Sequence, residues 1–155
     1  IRTCRGANPP PVRDLLEPRA AHWPETVDAL STEDPKRITF GELARSCRTV
    51  AALLRAHGAR PGDTVSVIMS NGLATVRMLL GAMHAGLVVN PVTLLAQPVQ
   101  MEYVLTHSDC RVVCVDPEWE SRVRGMLPAL ARPVALIVID PHATHLRQAL
   151  HLASR

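Results

Sequence analysis

The sequence predicts an α/β fold: a mainly parallel sheet with helices on both faces, plus an N-terminal β-hairpin. Three observations carry this reading. Short runs rich in β-branched residues, at 65–69, 87–89, 111–115 and 134–139, alternate with segments of helical period, the pattern of successive βαβ units. The run Val65-Ser66-Val67-Ile68-Met69 is apolar almost throughout, as a strand covered on both faces must be. Of the 155 residues, 47% are apolar and 20% charged, enough to fill the layers such a sheet requires. Right-handed crossovers then distribute the helices over both faces.

The elements follow in order. Residues 1–11 are polar and proline-rich, a loose leader. A helix is expected over 12–22, with Val12, Leu15 and Leu16 as its apolar side and Pro18 weakening it. Strands at 26–30 and 36–40 flank a turn at 31–35 and form the hairpin. Thr39-Phe40-Gly41-Glu42 has capping-box spacing, with Ile38 and Leu43 placed as its hydrophobic staple. Leu43, Cys47, Val50 and Leu54 continue as a buried stripe, and Gly58 is placed to stop the helix. After the strand at 65–69, Ser70-Asn71-Gly72 breaks the run, and Leu73, Val76, Leu80 and Met83 predict the next helical stripe, closed at Gly86. The strand at 87–89 ends at Asn90-Pro91. Pro98 opens a helix through Thr106. Asp116-Pro117 caps a further helix, 118–131, with Pro128 disturbing its last turn. The tail 141–155 shows no firm pattern beyond a short helix at 143–152.

Composition excludes several functions. Formal net charge is +3, the basic residues are dispersed and aromatics are 3%, which argues against nucleic acid. No apolar stretch approaches the ~20 residues of a membrane span, and 1–5 lead into no signal-peptide core; a cytoplasmic protein is the expectation. Cys4, Cys47, Cys110 and Cys114 contain no Cys-x-x-Cys and read as reduced, mostly buried thiols. Cys110 and Cys114 on one strand would face the same side, about 13 Å apart, too far for a disulfide. A metal site adding His107 and Asp109 is the lesser reading of that region.

Chemistry is sparse. Phosphate-loop, dinucleotide, nucleophile-elbow and zinc-helix patterns are absent. Ser70-Asn71-Gly72 follows a strand and opens a helix, where an anion could bind, but a turn explains it. Asp116 lies at a strand's C-terminal end, where α/β ligands bind, but a cap beside Pro117 explains it. His142, His145 and His151 have no metal-ligand spacing and read as a solvated tail. Catalytic, cofactor-binding and metal residues are therefore all read as none.

The motifs taken together resemble the adenylate-forming (AMP-binding) superfamily, specifically the N-terminal subdomain of its acyl-CoA ligase branch. Ile38-Thr39-Phe40-Gly41-Glu42-Leu43 is similar to the family's Leu-Thr-Tyr-x-Glu-Leu. His57-Gly58-Ala59-Arg60-Pro61-Gly62-Asp63-Thr64-Val65 is similar to its Leu-Gly-x-x-x-Gly-Asp-x-Val turn. Met69-Ser70-Asn71 resembles a Pro-Asn segment with Ser70 for the proline, and Gly81-Ala82-Met83-His84-Ala85-Gly86 through Asn90-Pro91 resembles the Ala-Gly-x-x-x-x-Pro core motif. Glu102-Tyr103-Val104-Leu105 and Cys110-Arg111-Val112-Val113 complete the series. The likeness spans 12–140.

The resemblance implies that the chain, 1–155, is an N-terminal subdomain fragment of the large N-terminal domain of an acyl-CoA ligase. The parent enzyme would use ATP, Mg and CoA to convert a carboxylic acid, fatty or aryl, to an acyl-adenylate and then a CoA thioester. The family's phosphate loop, adenine motif and C-terminal lysine lie downstream; Lys36, the single lysine, matches none of them. Some CoA ligases place a basic residue after Asn-Pro near the CoA nucleotide, where this chain has Val92. The fragment alone is therefore expected to be inactive, with no cofactor bound and with apolar surface favouring self-association. The alternatives are a non-catalytic protein-interaction module reusing the fold, and a small-molecule site near Ser70 and Asp116.

Overall fold

The computed structural model describes residues 11–30 and 37–142. It contains α1 (Val12–His22), β1 (Val27–Leu30), β2 (Arg37–Thr39), α2 (Phe40–Ala56), β3 (Thr64–Ile68), α3 (Leu73–His84), β4 (Val88–Pro91), α4 (Pro98–His107), β5 (Cys110–Val115), α5 (Glu120–Met126) and β6 (Ala135–Val138). The leader 1–10, the hairpin turn 31–36 with Lys36, and the tail 143–155, with the helix expected there, lie outside the described residues.

Strands β4-β3-β5-β6 form one sheet, parallel throughout, and β1-β2 an antiparallel pair apart from it. One face of the sheet packs Val65, Val67, Val112, Cys114 and Ile137 against Val50 and Leu54 of α2 and Met78 and Ala82 of α3. The other packs Ile68, Val113, Val115 and Val138 against Met101 and Leu105 of α4 and Val123 and Met126 of α5. A third cluster joins Leu16 of α1 to Ile38, Leu43, Ala44 and Cys47. Helices therefore cover both faces, as the alternating strands and helices require.

Local signals act where the sequence places them. The Thr39 hydroxyl accepts the Glu42 N–H at 3.3 Å while the Glu42 carboxylate accepts the Thr39 N–H at 3.0 Å, closing the capping box. Gly58 ends α2 with φ +85°, a conformation that suits glycine.

The buried face of α3 differs from the expected stripe. Ala74, Thr75, Met78, Gly81, Ala82 and His84 are buried, whereas Val76 and Met83 are exposed. Close packing against α2 is the reason: a Cβ on Gly81 would stand 2.4 Å from the Val50 Cβ. Small residues mark the face where the two helices meet closely, with Met78 the large apolar side chain among them, while Val76 and Met83 turn outward.

Two further expectations are corrected. The helix expected at 118–131 is split into a 3₁₀ turn Pro117–Trp119, α5, and a 3₁₀ turn Leu127–Ala129; α5 stops at Met126 because Pro128 has no N–H with which to continue the α-helical ladder. Cys110 and Cys114 do not face the same side: Cys110 packs with the α4–α5 cluster and Cys114 with the α2–α3 cluster. The register shifts at the start of β5, where Thr64 pairs Cys110 but Val65 pairs Val112, so Arg111 is an extra residue that reverses the alternation.

The sheet has unequal edges. The Val88 and Val92 N–H groups bond to Asp63 and Val67, so the intervening Val89 and Pro91 direct their nitrogens away from β3, and Pro91 carries no N–H. On β6 the Ile139 N–H bonds to Val115, leaving the Leu136 and Val138 amides directed away from β5. Among the described residues no helix is long and apolar enough to cross a membrane.

Candidate functional site

A ligand crevice in an open parallel sheet is expected where adjacent strands send their chains to opposite faces. Here α3 follows β3 on one face and α5 follows β5 on the other, so the crevice lies beyond the C-terminal ends of β3 and β5. Ser70 and Asp116, the two positions the sequence singled out, meet there.

They close on each other. The Ser70 hydroxyl donates to Asp116 Oδ2 at 2.7 Å, and Asp116 Oδ1 accepts the Glu118 N–H at 3.2 Å, capping the 3₁₀ turn. The Asp116 N–H donates to the Ile68 carbonyl at 3.0 Å. Asp116 is 7% exposed, so both carboxylate oxygens are used within the chain. The Thr75 hydroxyl donates to the Ser70 carbonyl at 2.6 Å, fixing the turn into α3.

One N–H of the helix terminus beside them is also taken. The Pro141 carbonyl accepts the Ala74 N–H at 3.3 Å, which occupies the α3 N-terminus with a neutral oxygen in place of an anion. Gly72 has extended backbone, φ 174°, so left-handed geometry is not its purpose. A Cβ there would stand 2.3 Å from the Pro141 oxygen; the glycine admits the chain's own backbone.

A cleft of about 540 Å³ opens alongside, walled by Val67, Met69, Leu79, Val92 and Leu94 with Asn71 at its mouth. Among the described residues no charged side chain lines it. Val92 is buried and its N–H is bonded to Val67. A nucleoside triphosphate needs several converging N–H donors and a cation; among the described residues no cation lines the cleft, and the Ala74 and Val92 N–H groups are already bonded, so these residues do not fit that group.

The other candidates disperse. His107 Nδ1 lies 2.8 Å from the Tyr103 carbonyl, Asp109 pairs with Arg132 at 2.6 Å, and the Cys110 thiol faces the Leu105 carbonyl. Among the described residues no group of three His, Cys, Asp or Glu could hold a metal ion. Burial pushes the Cys114 thiol up to about 12, which makes it a poor nucleophile. His142 is exposed, its N–H bonded to Asp140; His145 and His151 lie outside the described residues.

One polar cluster had no sequence signal. His84 Nε2 lies 2.8 Å from Glu17 Oε1, and Arg48 donates to Glu17 Oε2 at 2.7 Å. Arg13 donates to the His84 carbonyl at 2.8 Å. The members come from three helices, so no spacing along the chain announces them.

Comparison with known proteins places this geometry. The model of the family described as AMP-binding enzyme matches residues 16–153. The sulfoacetate–CoA ligase of Cupriavidus necator is 42% identical over 132 residues, covering 85% of this chain and 26% of that enzyme. An uncharacterized protein of Mycobacterium tuberculosis is 32% identical over 101 residues, covering 63% of this chain and 58% of that protein. The crystal structure of a benzoate CoA ligase from Burkholderia xenovorans superposes with a TM-score of 0.75 at 25% identity, over 92% of this chain and 28% of that one. The chain thus spans about a quarter of the length of the curated ligase it matches.

Proposed function

The chain belongs to the AMP-binding enzyme family, and from that premise we propose that it is the N-terminal scaffold portion, 1–155, of a longer acid–CoA ligase. The longer protein uses ATP and Mg to activate a carboxylic acid as an acyl-adenylate and transfers the acyl group to CoA, in the cytoplasm. The first acid to test is a short sulfonated carboxylate, since the sulfoacetate ligase is 42% identical; fatty and aryl acids follow. This portion alone binds no nucleotide and is inactive.

The observation that carries the reading is the closed crevice. The position where an α/β sheet receives a ligand is filled by Ser70, Asp116 and Pro141 of the chain itself, so the phosphate-handling groups must come from other parts of the polypeptide. Exposed apolar residues, Val99 and Tyr103 on α4 and Leu95 in the turn before it among them, support self-association of the isolated portion.

The test is acid-dependent ATP–pyrophosphate exchange. The longer polypeptide encoded by the same gene should catalyse it with at least one acid from a sulfonated, aliphatic and aromatic panel, and this chain should not. Exchange by the 155-residue chain itself would overturn the scaffold reading. Silence of the longer protein with every acid would overturn the ligase reading.

A second reading, a non-catalytic interaction module, is favoured by the Mycobacterium tuberculosis relative, of which the match spans 58%. An immunoblot of the native cell decides between them: a species the size of this chain supports the module, and one several times longer supports the ligase.

A further inference from the structure

Helix α1 is weakly held by its own sequence. Its N-cap residue, Pro11, makes no side-chain cap bond, Pro18 interrupts its ladder, and Leu16 is its one buried residue. What fastens it is the polar cluster. Glu17 of α1 accepts from Arg48 of α2 at 2.7 Å and lies 2.8 Å from His84 Nε2 of α3, while Arg13 of α1 reaches the His84 carbonyl. Glu17 is the single acid in this group, facing Arg48 on α2 and His84 on α3, while Arg13 on its own helix bonds to the His84 backbone. His84 is 6% exposed, and among the described residues its Nδ1 is buried with no hydrogen-bond partner and Glu17 is the one side chain bonded to its ring.

We propose that α1 is an acid-released clasp: protonation of Glu17 undocks it from α2 and α3 while the three-layer core stays folded. A neutral carboxyl leaves Arg48 without its counter-charge and gives up the charge-assisted bonds that tie α1 to α2 and α3. Leaving, α1 withdraws Leu16 and Ala20 from the cluster that they share with Ile38, Leu43, Ala44 and Cys47, and an apolar face opens to solvent. The inference stands apart from the ligase reading, since it uses only contacts within these three helices.

The sign follows from the environment of Glu17. Burial alone would raise its pKa, but the hydrogen bonds from His84 and Arg48, with the fields of both, outweigh that and hold it below the ordinary carboxylate value. The clasp is therefore intact above the ordinary carboxylate range and is lost as pH falls through the lowered pKa.

Three buried cysteines report the event. Cys47 lies in the cluster α1 covers, while Cys110 and Cys114 lie in the two sheet clusters. Thiol labelling with an aromatic disulfide that reacts down to acid pH, read peptide by peptide by mass spectrometry, separates them. On acidification through and below the ordinary carboxylate range, Cys47 should label roughly two- to fivefold faster, the scale of a partly exposed charged pair, with Cys110 and Cys114 still protected. Glu17→Gln should give the same selective gain at neutral pH. The proposal is overturned if E17Q leaves Cys47 as slow as in the wild type, or if all three cysteines gain together, which is global unfolding. Should E17Q not fold, the acidification of the wild type decides alone by the same criterion.

Discussion

Removing either half of the Ser70–Asp116 contact should cost stability in amounts that do not add. Ser70→Ala deletes an O–H donor 2.7 Å from a carboxylate that is 7% exposed. Hydrogen bonds to charged groups contribute about 1.5–3 kcal/mol, and because Ser70 itself is only half-buried the low end applies, about 1.5 kcal/mol. The Ser70 N–H at 3.5 Å from the same oxygen lies at the limit of a hydrogen bond and is counted as nothing. Asp116→Ala loses that contact and also the cap on Glu118, about 1 kcal/mol more, for a total of about 2.5 kcal/mol. The double variant should lose about 1–1.5 kcal/mol less than the sum of the singles, since the shared bond is lost once. Asp116→Asn should cost only about 1 kcal/mol, because its oxygen still caps Glu118 and its amide can donate to the Ser70 oxygen. Urea denaturation, followed by the fluorescence of Trp23 and Trp119 and by circular dichroism, measures each term. A coupling below about 0.5 kcal/mol, or an Asp116→Asn variant as damaged as Asp116→Ala, would refute the closed-crevice argument.

Other perturbations separate distinct causes. Gly72→Ala should cost about 1–3 kcal/mol in denaturant because its Cβ meets the Pro141 backbone, whereas Gly62→Ala, with φ +91° and nothing within 4 Å, should cost about 1 kcal/mol from backbone conformation alone. Iodoacetamide at mildly alkaline pH should leave Cys114 unmodified in the native protein, its thiol being held up to about 12 by burial, and should modify it in urea; native-state modification would show the site to be open. The stability difference between wild type and Glu17→Gln should be full above the ordinary carboxylate range and vanish as pH falls through the lowered Glu17 pKa; a difference independent of pH would remove the ion pair from the account.

What the sequence made legible was local. The Thr39–Glu42 box, the Leu43, Cys47, Val50 and Leu54 stripe and the glycine stop at Gly58 depend on neighbours within a turn or two, and the structure has each in place. The family resemblance rested on the order of such segments, and the match over 16–153 agrees with it. The buried face of α3 was read from side-chain hydrophobicity, although the approach of Gly81 to Val50 was decided by size. The phase of β5 was lost because one extra residue at Arg111 leaves no mark in the composition. At the candidate site, Ser70 and Asp116 were each noticed and each given a private role. That one answers the other depends on two strands lying side by side, a relation between residues 46 apart. Pro141 filling the space above Gly72 is a longer-range contact still.

The unequal sheet edges limit how copies of this chain can associate. A strand arriving beside β4 finds a single outward donor, Val89, because Pro91 has none to offer. Stacking of one sheet onto the next, β6 of each copy against β4 of another, is thereby disfavoured relative to joining through β6, which uses the same edge on both copies and is complete at two. A proline at one strand end thus tilts assembly by sheet extension away from open-ended growth.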